Sequence, residues 1–124
     1  MRLILKTDKR RYFRQVLELL SPVPPFSTIT SKERSVLGEF MYLNWSYREL
    51  SSEDKKKILF STQNKEAIRF TLNMSKEALN VTLYVLRKKG FITYDRIISE
   101  FEFLPERVLE YVFIEEEVTD DSGS

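Results

Sequence analysis

Few side chains in this sequence are equipped for chemistry. Its 124 residues include neither cysteine nor histidine, which removes thiolate nucleophiles, serine–histidine relays, disulfides and the common zinc sites together. Carboxylates, lysines, tyrosines and hydroxyls are left. Glu100 and Glu102 share one side of an alternating stretch, and Glu115, Glu116 and Glu117 form a run further on. Paired carboxylates act as acid and base only where an apolar pocket shifts their pKa values. Nothing in the sequence places these glutamates in such a pocket, so they read as solvated surface charge. Serine and tyrosine have no imidazole to activate them, and no buried lysine can be picked out to act as a nucleophile. The expectation is a protein without catalytic residues, cofactor or metal.

Binding chemistry is better represented. Lys9, Arg10, Arg11 and Arg14 cluster on what reads as the outer face of a helix, a pattern that suits phosphate or acidic partners and equally a solvated face. Lys55, Lys56 and Lys57 invite the same two readings. Further on, Lys76, Asn80, Arg87 and Lys88 offer donors for base edges and phosphates. At 100° per residue from Leu79, the far side of that helix also carries Glu77, Val81, Tyr84 and Val85. An apolar strip of Val81, Tyr84 and Val85 on the outside of a helix needs a cover. Either the N-terminal helix or strand of the same domain supplies it, or another protein chain does.

The net charge of +1 hides an asymmetry. Residues 1–99 carry 19 Lys and Arg against 10 Asp and Glu, whereas residues 100–124 carry 1 against 9. A basic body with an acidic end points to a partner. Nucleic acid fits the body, and identical subunits in a head-to-tail row fit the dipole. No run of 18 apolar residues and no leader pattern at residues 1–6 is present, so a protein of cytoplasmic origin that does not span a membrane is expected.

The elements that position these groups follow from periodicity and punctuation. Residues 1–7 alternate in the manner of a short edge strand. Asp8 can cap a helix from Lys9 to about Leu20 with Phe13, Val16, Leu17 and Leu20 inward, and Ser21-Pro22-Val23-Pro24-Pro25 ends it. A second helix is expected from Ser31 to about Arg48, with Val36, Leu37, Phe40, Met41, Asn44 and Trp45 in its core stripe. A short one follows from Glu53 to Phe60, started by Ser51-Ser52-Glu53-Asp54. From Asn64 to Ile92 the order is helix, tight turn at Leu72-Asn73-Met74, longer helix capped by Ser75, then strand. Residues 97–103 and 108–116 alternate around Leu104-Pro105-Glu106-Arg107 as a β-hairpin.

Leu72-Asn73-Met74-Ser75, followed by Leu83, Leu86 and Arg87-Lys88-Lys89-Gly90-Phe91-Ile92, resembles a segment of winged helix-turn-helix proteins. The order of elements, with this resemblance beside it, gives the expected fold as mostly α with a small β-hairpin (α+β): one winged-helix domain over 1–117 with an N-terminal extension (1–30) of strand and helix, then a polar acidic tail at 118–124. That fold serves DNA readers, RNA binders and protein adaptors alike. Its expected wing, residues 99–117, holds seven glutamates against Arg107, which disfavours contact with a polyanion. As a whole, the opening MRLILKTDKRRYFRQ and the aromatic-rich first helices are similar to small proteins of crAss-like tailed bacteriophages.

Two functions are therefore expected. One is a non-enzymatic virion assembly subunit, such as a head–tail connector or neck ring protein. It would be made in the host bacterial cytoplasm and meet copies of itself and other virion proteins through Val81, Tyr84, Val85 and Glu115–Glu117. The alternative is a DNA-binding regulator or replication protein of the host cytoplasm, using Lys9, Arg10, Arg11, Arg14, Lys76, Asn80, Arg87 and Lys88 on double-stranded DNA.

Overall fold

Hydroxyl side chains mark where most of the helices begin. The computed structural model describes residues 9–98 and Phe101, and there the chain forms α1 (Lys9–Leu19), α2 (Ser31–Ser46), α3 (Ser52–Ile58), α4 (Thr62–Thr71) and α5 (Lys76–Lys88). Thr30, Ser51, Ser61 and Ser75 each accept a backbone N–H of the helix they precede, at 3.1–3.3 Å. At Thr30 the bond is reciprocated, since Glu33 accepts the Thr30 N–H at 3.2 Å, so two otherwise orphaned donors are satisfied together.

Residues in left-handed conformation end α4 and α5. Asn73 has φ 53° and Gly90 has φ 84°, and asparagine and glycine are the residues that tolerate this region best. After α4, Met74 N–H bonds the Arg69 carbonyl at 2.9 Å and Asn73 N–H the Phe70 carbonyl at 3.3 Å. After α5, Phe91 N–H bonds the Leu86 carbonyl and Gly90 N–H the Arg87 carbonyl, both at 3.1 Å. Both are Schellman closures. The first turns the chain sharply enough for Ser75 to start α5 two residues after Asn73.

One core collects the inward stripes. Phe13, Val16 and Leu17 of α1 meet Val36, Leu37, Phe40 and Met41 of α2; Leu59, Ile68, Leu79, Leu83 and Leu86 join them, as do Phe26, Ile29, Phe91, Ile92 and Ile97 from the connecting segments. Helix α1 lies along α2, and α5 packs on both α2 and α4. Gly38 permits the α1–α2 approach, because a Cβ there would stand 3.2 Å from the Arg14 backbone. Asn64 donates to the Ile58 carbonyl at 2.7 Å and to the Tyr47 hydroxyl at 3.1 Å, fixing α4 to the ends of α3 and α2.

The expected fold class is corrected by these elements. Among the described residues there is no strand and no β-hairpin; one antiparallel bridge, Ile92 to Ile97, stands alone. The described chain is all-α, not a winged helix with a β wing. The physical reason lies at residues 97–101. Ile97 is buried, Ile98 N–H bonds the Phe91 carbonyl at 3.0 Å, and Phe101 N–H closes a turn onto the Ile98 carbonyl at 2.8 Å. That turn brings the Phe101 ring to 4.7 Å from Phe91 and 5.6 Å from Phe26. Apolar residues at 97, 98 and 101 suit a helical turn as well as an alternating strand, and a short run cannot distinguish the two. The expected edge strand at 1–7, the capping role of Asp8, the hairpin residues 108–116 and the acidic tail 118–124 lie outside the described residues.

Candidate interaction surfaces

Two surfaces of the described chain have the chemistry of binding sites. The first is the outer face of α5. Leu79, Leu83 and Leu86 fill its buried side, so the helical period turns Glu77, Val81, Tyr84 and Lys88 outward. Val81 is 62% exposed and Tyr84 54% exposed, while Val85 is half-buried. Lys88 lies 5.5 Å from the Tyr84 ring. Just past the helix, Tyr94 is 81% exposed with the Arg87 guanidinium 4.4 Å over its ring. Tyrosine and arginine are enriched at protein interfaces, and a cation over an aromatic ring adds a weak attraction at exposed sites.

The N-terminal helix does not supply the cover that this strip needs. Helix α1 spends its apolar stripe on α2, so the strip is open to solvent although a helix was available. The other intramolecular candidate, the strand at 1–7, lies outside the described residues.

The second surface is a groove between α1, the first half of α2 and the α4–α5 turn. Two adjoining depressions of about 330 and 500 Å³ share Arg14, Ser35, Thr71 and Leu72. Arg10 and Arg11 extend one end; Lys32, Asn73 and Ser75 extend the other. The cations are exposed and lightly held: Arg10 pairs with Glu39 at 3.2 Å and Arg14 with Glu18 at 3.5 Å, and exposed pairs of this kind contribute little.

The sequence-derived candidates are thus divided by the structure. Arg10, Arg11 and Arg14 come together at the groove, near the start of α5. Lys76 and Asn80 are exposed on the first turns of α5, and Arg87 and Lys88 are at its other end. Glu77 and Lys76 at that start are matched by charge on α4. There Glu66 and Arg69 bond at 2.6 Å, which holds the Glu66 carboxyl below its ordinary value and raises the Arg69 guanidinium; Lys76 and Glu77 add to these shifts. Lys55 and Lys56 line a separate depression with Asn44, Asp95 and Arg96. Glu100, Glu102, Glu115, Glu116, Glu117 and the side chain of Lys9 lie outside the described residues.

Nothing in the sequence singles out Lys32, Ser35, Phe70 or Tyr94 as members of these surfaces. A lone glycine inside a helical pattern, Gly38, was the signal that α1 and α2 meet closely there; no periodicity links Lys32 to Arg14 across that junction. Phe70 is 72% exposed beneath the Arg69 guanidinium, at 4.6 Å from its ring. Among the described residues, no three potential acidic ligands group around a common point, and no helix is long and apolar enough to cross a membrane.

No protein-family model matches the chain, and no curated protein or solved structure matches it either.

Proposed function

We propose that this chain is a non-enzymatic assembly subunit that meets copies of itself and other protein chains through the outer face of α5. The observation that carries this reading is the open strip at Val81 and Tyr84, left bare while α1 packs elsewhere. Single exposed apolar residues are ordinary on protein surfaces. Here two share one helix ridge, with Tyr84 and nearby Tyr94 each beside a cation. Such a patch gains from being covered by another chain. The setting we propose, a virion subunit such as a head–tail connector or neck ring protein made in the host cytoplasm, rests on the likeness in style of the opening MRLILKTDKRRYFRQ and the aromatic-rich first helices to small proteins of tailed bacteriophages.

Sedimentation of the full chain beside a Val81→Glu, Tyr84→Glu variant tests this reading. Assemblies that the wild type forms and the variant loses support it. Equal assembly by both, or a wild type that stays monomeric at every concentration, contradicts it.

Binding of double-stranded DNA is a second reading with one specific observation in its favour, the gathering of Arg14 and Lys32 beside the start of α5. Its mark is counterion release: affinity that falls steeply with salt, on a slope that Lys76→Ala and Arg10→Ala both flatten.

A further inference from the structure

We infer that the groove beside the start of α5 receives the acidic C-terminal segment of a neighbouring copy, so that subunits associate head to tail. This rests on the assembly reading above and adds a second surface to it. Arg10, Arg11 and Arg14 of α1 and Lys32 of α2 line the groove, and the one acid among its described lining residues, Glu39, is bonded to Arg10. The complement is in the same sequence: residues 100–124 hold nine acids, among them Glu115, Glu116, Glu117, Asp120 and Asp121, against one base. Opposite charges on separate parts of one chain favour a heterologous contact, which propagates into a row or closes into a ring.

The lining favours a peptide over a phosphate backbone. Leu72 and Ala78 lie among the cations and hydroxyls, and an acidic segment containing Val118 has apolar atoms to set against them. A nucleic-acid backbone confines its apolar atoms to sugars set between charged phosphates. Phe101, the last described residue, packs on Phe26 and Phe91 past the C-terminal end of α5, and the groove closes against the other end of that helix, whose 13 residues span about 20 Å. Glu115 is 14 residues beyond Phe101, and a chain of that length covers about 45 Å when extended, enough to reach the groove of an adjacent copy.

Charge reversal in the full chain tests the inference. Arg14→Glu with Lys32→Glu reverses the groove; Glu115→Lys, Glu116→Lys and Glu117→Lys together reverse the segment. All five positions are read by sedimentation at low salt, with circular dichroism confirming that each variant is folded. Each variant alone associates about tenfold more weakly than the wild type or not at all. An equimolar mixture of the two regains association, and so does one chain carrying both reversals, because opposite charges again face each other.

Failure of both combinations to regain association overturns the inference, as do single reversals that associate like the wild type. Reversal of the groove that abolishes binding to a duplex DNA probe and leaves self-association intact assigns the groove to nucleic acid and equally overturns it. The assembly reading is separable: if only Val81→Glu with Tyr84→Glu disrupts assembly, that reading stands and the groove inference falls.

Discussion

Gly38 on α2 faces Arg14 on α1 so closely that a β-carbon at position 38 would lie 3.2 Å from the Arg14 Cα, Cβ and N atoms. The opposing atoms belong to a helix backbone and yield only if α1 moves as a unit. Glycine in mid-helix costs about 1 kcal/mol against alanine, so its presence there reflects the approach it permits. The consequence reaches the surface, because the same approach sets Arg14 above Ser35 and the α4–α5 turn and so forms the groove.

Replacing Gly38 therefore has a predictable outcome. Gly38→Val forces two branches into the α1–α2 junction and lowers stability by about 1–3 kcal/mol, the usual range for overpacking. Thermal unfolding followed by circular dichroism measures it. A variant as stable as the wild type contradicts the close approach.

Much of the helical order was legible before the structure, and the reasons are local. Ser75 is followed by apolar residues at Leu79, Leu83 and Leu86, and Leu72-Asn73-Met74 reads as the turn between α4 and α5. Each of these signals acts within one or two turns of chain. The α1 stripe of Phe13, Val16 and Leu17 was equally plain, and Pro22 to Pro25 explains why the chain leaves the helix by Leu19. What failed was the assignment at Ile97 to Phe101, where three aromatic rings, Phe26, Phe91 and Phe101, decide the geometry through contacts between distant residues. The groove was invisible for a similar reason, since Arg14, Lys32 and Thr71 are joined only by packing.

A second prediction concerns acid. Burial alone would raise the Glu33 carboxyl, but the hydrogen bond and charge of Lys89, with donors from Thr30, hold it below its ordinary value of 4.5. Lys89 also donates to the Thr28 carbonyl, so this one ammonium ties the end of α5 to the start of α2. A carboxyl with a depressed folded pKa contributes stability that is present in full above its unfolded value and lost as pH falls through the folded one. Glu33→Gln should thus cost about 1–3 kcal/mol at neutral pH. The gap to wild type should close in strongly acid solution. Urea denaturation of both proteins across that range is the check, and a gap independent of pH would contradict the ion pair.

The α4–α5 turn yields a third. Asn73 adopts φ 53°, a region that costs a β-branched residue about 1–2 kcal/mol and glycine nothing. Asn73→Val is expected to destabilise by that amount, whereas Asn73→Gly unfolds within about 0.5 kcal/mol of the wild type. Equal loss in both variants would mean that the asparagine side chain, not its backbone conformation, matters there. The two midpoints of thermal unfolding decide between these causes.

Cover of the outer face of α5 by another protein chain is tested most directly by hydroxyl-radical footprinting of Tyr84 as protein concentration is raised through the range of assembly. Tyr84 is 54% exposed in the isolated chain, and its oxidation is expected to fall several-fold in the assembled state. Unchanged oxidation of Tyr84 in assembled protein would contradict it.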